Sequence, residues 1–183
     1  MKKFLMVLIL GLFAAGSAHA GDWDYVQGHV AHSSAYNVSG TTYGLQGSKS
    51  LNNYTFVQLS YSDSTNRWFA PGDVTATVGV HAFLTPKLDA YGKFNVSSIV
   101  NDQLGRDRMA YSAEGGVRYL VNDSWTVRGG VGAANLREAK LDSVQWYGTV
   151  GAEYAFGNGW SVGLDLTGKD HVLNEQVSLR WYY

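Results

Sequence analysis

The last nine residues of the chain, Glu175 to Tyr183, alternate between side chains of two kinds. One alternate set is mainly apolar and the other is mainly polar: Val177, Leu179, Trp181 and Tyr183 against Gln176, Ser178, Arg180 and Tyr182. Side chains of a β-strand point alternately to opposite faces, so this segment predicts a strand with one apolar face. Such a closing strand removes the edges of a sheet when it pairs with the first strand, around residues 23–34.

The same alternation recurs along the chain between short turn signals. Four segments share a glycine, an alternating strand and then a turn rich in Asn, Asp, Gly or Pro; their glycines are Gly44, Gly79, Gly116 and Gly151. This spacing fits one antiparallel strand pair with its two connections. We therefore predict ten strands, at 23–34, 41–50, 54–62, 74–84, 88–98, 109–120, 125–136, 144–156, 160–168 and 175–183. Eight strands remain the alternative.

Longer polar segments lie between the repeats. They predict loops at 36–41, 62–73, 101–108, 137–143 and 169–174. Short turns at one end and longer loops at the other are typical of outer-membrane barrels.

Polarity decides between two kinds of barrel. The strongly charged residues in the middle of the strands fall on one alternation, and most apolar residues fall on the other. A membrane barrel is apolar outside and polar inside, whereas a soluble lipocalin-like barrel has the opposite polarity. The sequence therefore predicts an all-β, transmembrane, antiparallel up-and-down β-barrel. Aromatic side chains near strand ends are expected at the membrane interface: Trp125, Trp160, Trp181 and Tyr183.

The N-terminus has the pattern of a secretory signal peptide over residues 1–20. Lys2 and Lys3 precede an apolar run, and Ala18-His19-Ala20 is a small-residue cleavage site. We expect Sec export and a mature barrel over residues 21–183. The chain has no cysteine, which excludes a thiol nucleophile and a Cys-ligated zinc site. Its weakly acidic charge argues against nucleic-acid binding.

Charged residues predicted to face the lumen have nearly balanced signs. They are Lys93, Glu114, Arg118, Arg128, Glu153, Asp165 and Arg180. Long side chains reach across a small barrel, and a buried charge without a partner is costly, so pairing into a salt-bridged network is expected. The other hypothesis is a charged constriction that lines a small pore.

Candidate chemistry outside the lumen is sparse. His32-Ser33-Ser34 and Asp170-His171 contain the residue types of a hydrolytic site at the rim, but neighbouring strand residues face opposite ways and no third partner is evident. We predict no catalytic residues, no metal site and no cofactor. The predicted surface loop contains Arg67, Trp68 and Phe69, which suit either a protein partner or the membrane interface.

Four stretches together resemble a known family: Tyr111–Arg118, Gln145–Gly148, Val177–Tyr183 and Asp24–Gly28. They are similar to the small outer-membrane β-barrel proteins of the porin-like superfamily, in particular a ten-stranded group of xanthomonads and other gammaproteobacteria. The resemblance covers essentially all of residues 21–183 and implies an integral outer-membrane protein without established enzymatic activity. Closing strands of that family most often end in Phe or Trp, whereas this chain ends in Tyr183.

The functional prediction is a non-enzymatic, integral outer-membrane barrel with an envelope-structural or surface-interaction role and a salt-bridged lumen. A narrow passive diffusion pore for small solutes is the alternative, and a rim hydrolase of lipid or peptide is a second alternative. We expect a monomer that contacts outer-membrane lipid and lipopolysaccharide. The C-terminal strand is expected to engage the barrel-assembly machinery.

Overall fold

The computed structural model describes residues 23–35, 38–65, 72–100, 108–136 and 144–183. The predicted signal peptide and the loop residues Arg67, Trp68 and Phe69 lie outside these ranges. The described residues form ten β-strands: β1 (Tyr25–Ala35), β2 (Val38–Ser50), β3 (Thr55–Ser64), β4 (Gly72–Thr85), β5 (Leu88–Val100), β6 (Arg108–Leu120), β7 (Trp125–Leu136), β8 (Val144–Gly157), β9 (Trp160–Lys169) and β10 (Val172–Tyr182).

The strands close into one antiparallel barrel. Each strand pairs with its neighbours in sequence, and β1 pairs with both β2 and β10. The seam between β1 and β10 extends from Tyr25 opposite Tyr182 to Ala35 opposite Val172, so no sheet edge remains. The prediction of a ten-stranded antiparallel barrel is confirmed, and the eight-stranded alternative is wrong.

The two ends of the barrel have different connections. One end, called the turn end below, holds the start of β1, the end of β10 and short connections at 51–54, 86–87, 121–124 and 158–159. Two of these turns close in the same way, because the Asn52 and Asn122 side-chain oxygens each accept two backbone N–H groups, at 2.8–3.0 Å. The opposite end is called the loop end.

Two predicted loops at the loop end are wrong. The predicted loop at 169–174 is a two-residue turn, because Lys169 already pairs with Val172. Its Asp170 has φ 48°, in the left-handed region that Asp tolerates better than most residues. The predicted loop at 36–41 is shorter too, since β2 begins at Val38 opposite Ala35. Lumen-facing strand residues are polar as well, so polarity alone placed these strand ends in loops.

The outside of the barrel is apolar around its middle. Trp146 and Val131 are among the most exposed side chains, at 70% and 66%. Outward-facing charges in the described strands lie near the barrel ends: Lys49 at the turn end, and Asp63 and Glu175 at the loop end. This arrangement leaves an uncharged apolar band between them. No helix within the described ranges is long and apolar enough to cross a membrane.

The repeated glycines mark sites where a larger side chain lies against the inner wall. A Cβ at Gly79 would overlap the Phe56 ring, and one at Gly116 would come within 2.5 Å of the Tyr91 hydroxyl. Gly44 lies beneath His29, and Gly151 lies beneath Asp165 and Arg128. All four repeat glycines therefore face the lumen, and each provides space for a side chain of a neighbouring strand.

Candidate functional site in the barrel lumen

Alternation places most polar residues of the strands on the inner wall. Residues directly opposite each other in the register share a face, so Gln27 on β1 faces inward together with Arg180 on β10 and Gln46 on β2. The seven charged residues predicted for the lumen lie on β5 to β10. Amide side chains occupy much of the remaining wall: Gln27, Gln46, Gln58 and Gln176.

One group of contacts, called the Arg180 cluster, crosses the seam of the barrel near the turn end. Arg180 donates to Glu153 at 2.6 Å and to Gln27 Oε1 at 2.6 and 2.9 Å. Arg128 donates to Glu153 at 3.1 Å and binds both carboxylate oxygens of Asp165. Four of the predicted charged residues are thus brought together by strands β7 to β10.

Neutral groups complete the Arg180 cluster. The hydroxyls of Tyr182 and Ser161 donate to Glu153 Oε1 at 2.5 and 2.6 Å. The Arg180 guanidinium also lies over the Tyr25 ring, 4.2 Å from its centroid. Arg180 and Glu153 are 7% and 6% exposed, so both charges are compensated within the protein.

Lys93 and Glu114 form a second ion pair on adjacent positions of β5 and β6. Their charged atoms are 3.0 Å apart, and Lys93 Nζ lies 5.1 Å from the Tyr91 ring centroid. Glu114 accepts a hydrogen bond from the Tyr91 hydroxyl at 3.0 Å and one from Tyr147 at 3.4 Å. This pair therefore has its own hydrogen-bonded surroundings on the wall.

Arg118 lies in a third group, called the Trp23 cluster. Its guanidinium is 4.9 Å from the Trp23 ring centroid and 3.8 Å from Asp89. Trp23 stacks on Phe56 with centroids 3.9 Å apart, and meets the Tyr91 ring edge-on at 5.8 Å. Its indole N–H donates to Asp89 at 3.4 Å. Trp23, Phe56 and Tyr91 form a hydrophobic core inside the described part of the barrel.

Sequence reasoning missed most of the Trp23 cluster. Asp89 and Tyr91 share the alternation of Lys93, and Phe56 shares that of Gln58, so their inward direction was readable from spacing. Trp23 shares the alternation of Gln27 in the predicted strand 23–34, so its inward direction was readable as well. Its reach across the lumen had no signal in the sequence, because it depends on contacts with strands far along the chain.

A cavity of about 210 Å³ lies above the two clusters, toward the loop end. Its lining combines charged, amide and hydroxyl groups, including Lys93, Glu114, Asp165, Thr149 and Gln176. A single water needs only about 10–15 Å³ of such space. Buried polar atoms without a protein partner also occur on the inner wall, at His29 Nδ1, Gln145 Oε1 and Ser178 Oγ. These three residues do not line the cavity, and water elsewhere along the inner wall would satisfy them. The polar lining and the volume of the cavity themselves suit a hydrated interior.

The four predicted interface aromatics lie at the turn end. Trp125, Trp160 and Trp181 are 40–44% exposed and face outward. Trp125 packs beside Tyr154 with centroids 5.0 Å apart, and Trp181 lies between Trp160 and Tyr183. Their predicted role at a membrane interface stays a prediction.

Tyr183 reaches back over the seam. Its hydroxyl donates to the Ser48 carbonyl at 3.2 Å, its N–H donates to the Asp24 carbonyl at 3.4 Å, and Lys49 lies 5.2 Å from its ring centroid. Burial, with a smaller contribution from the charge of Asp24, raises the pKa of Tyr183 to about 12.

The rim residues weighed for catalysis are not assembled into a site. His32 is exposed, whereas neighbouring Ser33 is buried and accepts a hydrogen bond from Asn174 at 3.0 Å. They lie on opposite faces of β1, and Asp170 and His171 form the turn between β9 and β10. Within the described ranges, no group of three or more His, Asp or Glu residues is arranged to hold a metal ion.

No protein-family model matches the chain. No curated protein sequence matches it either. Solved structures, in contrast, do match the fold of this chain. The NanC porin has a TM-score of 0.60 at 10% identity, covering 85% of this chain and 98% of that one.

Two further structures extend the comparison. An outer-membrane channel from Pseudomonas putida F1 has a TM-score of 0.56 at 10% identity, covering 91% of this chain and 100% of that one. The KdgM porin has a TM-score of 0.50 at 10% identity, covering 87% and 99%. The chain therefore has the fold of porin-like outer-membrane barrels. The resemblance to the xanthomonad group stays a prediction.

Proposed function

We propose that the chain is a non-enzymatic outer-membrane channel that passes small polar solutes through the lumen. The observation that carries the proposal is a polar cavity of about 210 Å³ enclosed by a barrel with an apolar outer band. A soluble barrel has no need of such an apolar outside, and a barrel stabilised only by packing has no need of a hydrated interior.

The outer surface supports a membrane location. A Lys or Arg on the lipid face costs about 2–4 kcal/mol at the midplane of the bilayer and little near its edges. The outward charges Lys49, Asp63 and Glu175 lie at the barrel ends, where this cost is small. Lipid and lipopolysaccharide would then surround a monomer, with the C-terminal strand as the segment that engages the assembly machinery.

The balance of charge in the lumen suggests which solutes pass. Each of the four cations predicted for the lumen lies beside a carboxylate: Lys93 with Glu114, Arg118 with Asp89, Arg128 with Asp165 and Arg180 with Glu153. Paired charges produce a weaker field along the pore than a ring of one sign. We therefore expect uncharged polar solutes, and ions of both signs, to pass with little discrimination.

The structural neighbours support a channel over a purely structural role, since two are named porins and one an outer-membrane channel.

A specific observation favours the second candidate, an envelope-structural or surface-interaction barrel. The lumen at the turn end, called the floor below, is densely packed. Its residues Trp23, Tyr25, Glu153 and Arg180 are each less than 8% exposed. A floor that never opened would leave the cavity without an exit.

Planar-bilayer recording of the refolded barrel distinguishes the two candidates. A channel gives discrete conductance steps, and its reversal potential in a salt gradient stays near zero because the lumen charges are paired. Protein that has its folded, heat-modifiable gel mobility and inserts without any current would contradict the channel. The same protein unfolded by heat is the control for leakage caused by the bilayer or detergent.

A further inference from the structure

We infer that Trp23 is a stopper in the floor of the lumen and limits the size of solute that the channel passes. This inference rests on the proposed function and adds the residue that sets the constriction.

Trp23 extends across the barrel. It precedes β1 by two residues, yet its ring contacts Phe56 on β3, His81 on β4, Tyr91 on β5 and Arg118 on β6. In the ring of ten strands, β6 is the strand opposite β1. The side chain therefore crosses from one wall toward the other at the turn end, and it also lines the cavity above.

The wall beneath Trp23 is shaped to receive a flat ring. Phe56 is fully buried because Gly79 on the next strand leaves room for its ring. Trp23 lies on Phe56 with an interplanar angle of 12°. Tyr91 is seated over Gly116 in the same manner and borders the indole. Two of the four repeat glycines, Gly79 and Gly116, thus make room for the rings of Phe56 and Tyr91. These two rings form the surface on which Trp23 packs, called the bed of Trp23 below.

Asp24 holds the segment that carries Trp23. Its carboxylate accepts hydrogen bonds from Lys49 Nζ at 2.8 Å and from the Ser50 N–H at 2.5 Å, both at the end of β2. Its carbonyl accepts from the Tyr183 N–H at 3.4 Å. Asp24 is accordingly a positioning residue, because it fixes the backbone from which the indole projects.

Trp23 and the Arg180 cluster differ in how they are attached to the barrel. Every other described residue that lines the cavity, including Arg180 and Tyr91, belongs to a barrel strand. Trp23 alone among these lining residues lies outside a strand, so its backbone can shift without breaking strand pairing once the Asp24 contacts open. The route through the floor therefore passes Trp23 and not the Arg180 cluster.

The first experiment compares single-channel conductance of refolded wild type, Trp23→Ala and the control Trp146→Ala. Both variants lose the same side chain, but Trp146 faces outward and is 70% exposed. We expect a several-fold higher conductance for Trp23→Ala, with passage of larger uncharged solutes, and wild-type conductance for Trp146→Ala. Gel mobility establishes that each variant is folded.

A single introduced cysteine allows the open and the blocked lumen to be compared in the same protein variant. The chain has no native cysteine, so Trp23→Cys introduces a unique thiol at the stopper position. We expect this variant to conduct like Trp23→Ala and a bulky aromatic thiol reagent to restore the low conductance. Wild type treated with the same reagent is unchanged, which controls for effects of the reagent on the bilayer.

The outcomes separate this inference from the proposed function. A conducting wild type with unchanged Trp23→Ala and Trp23→Cys currents overturns the stopper and leaves the channel intact. A silent wild type with conducting Trp23 variants supports the stopper and overturns the constitutive channel. Silence in all folded variants overturns both.

Discussion

At the scale of single residues, the spacing of residues in the sequence predicts which face a side chain points to. It predicts less well which other side chains that residue contacts in the lumen. Alternation assigned Arg180, Glu153 and Arg128 to the inner wall, and the structure places them in one hydrogen-bonded cluster. It could not show that Arg118 lies with Asp89, because a lateral partner depends on register between strands. The predicted role of these residues as one network or as a pore lining stays a prediction.

Replacement of Arg180 tests the cluster that crosses the seam. Arg180→Ala leaves Glu153 buried with only Arg128 as its cationic partner among the contacts described above. We expect the free energy of unfolding to fall by about 3 kcal/mol, the lower end of the range for breaking a buried pair. Denaturant titration followed by gel mobility measures the loss. Glu175→Ala, an exposed outward position on the same strand, is the control, and an unchanged midpoint for Arg180→Ala would remove the stabilising role.

The inward glycines provide a second residue-scale test. Gly79→Ala places a methyl group where the Phe56 ring lies, so the ring must shift and with it the bed of Trp23. Overpacking of this kind costs about 1–3 kcal/mol. Gly92→Ala is the matched control, because a Cβ there meets ordinary contacts of 3.7 Å or more. Equal stability of the two variants would show that the Phe56 site is not tightly packed.

At the scale of elements, the strands were more predictable than their connections. The ten strand positions follow from period-two alternation and from turn residues such as Asn52 and Asn122. The turn at Asp170 and His171 was not recognised, because Asn174 and its neighbours are polar in a strand that faces the lumen. In a barrel of this kind polarity marks the inner wall as strongly as it marks a loop.

The closing strand is the element on which barrel closure depends. Deletion of Trp181–Tyr183 removes the pairs of Trp181 with Val26 and Trp160, and the contacts of Tyr183 with Ser48 and Asp24. We expect most of the truncated chain to remain unfolded in a refolding assay, as measured by the heat-modifiable band. The length-preserving Trp181→Phe, Tyr183→Phe variant should refold. Normal refolding of the truncated chain would contradict the assembly role of these residues.

At the scale of the whole molecule, the sequence allows the barrel to be derived more fully than its function. Opposite polarity of the two faces required a closed barrel with a polar lumen, and the structure has both. Whether the floor opens depends on Trp23, which precedes β1 and whose place across the barrel arises only in three dimensions. The preference for a channel over a structural barrel therefore comes from the cavity and the structural neighbours.

Solute flux into liposomes tests the channel most directly. Wild-type barrel is reconstituted, and swelling is followed after addition of a small uncharged polyol or of a larger oligosaccharide. We expect swelling with the small polyol and none with the oligosaccharide, because the cavity is polar and Trp23 narrows its floor. Absence of swelling with every solute, in liposomes shown to contain folded barrel, would contradict it.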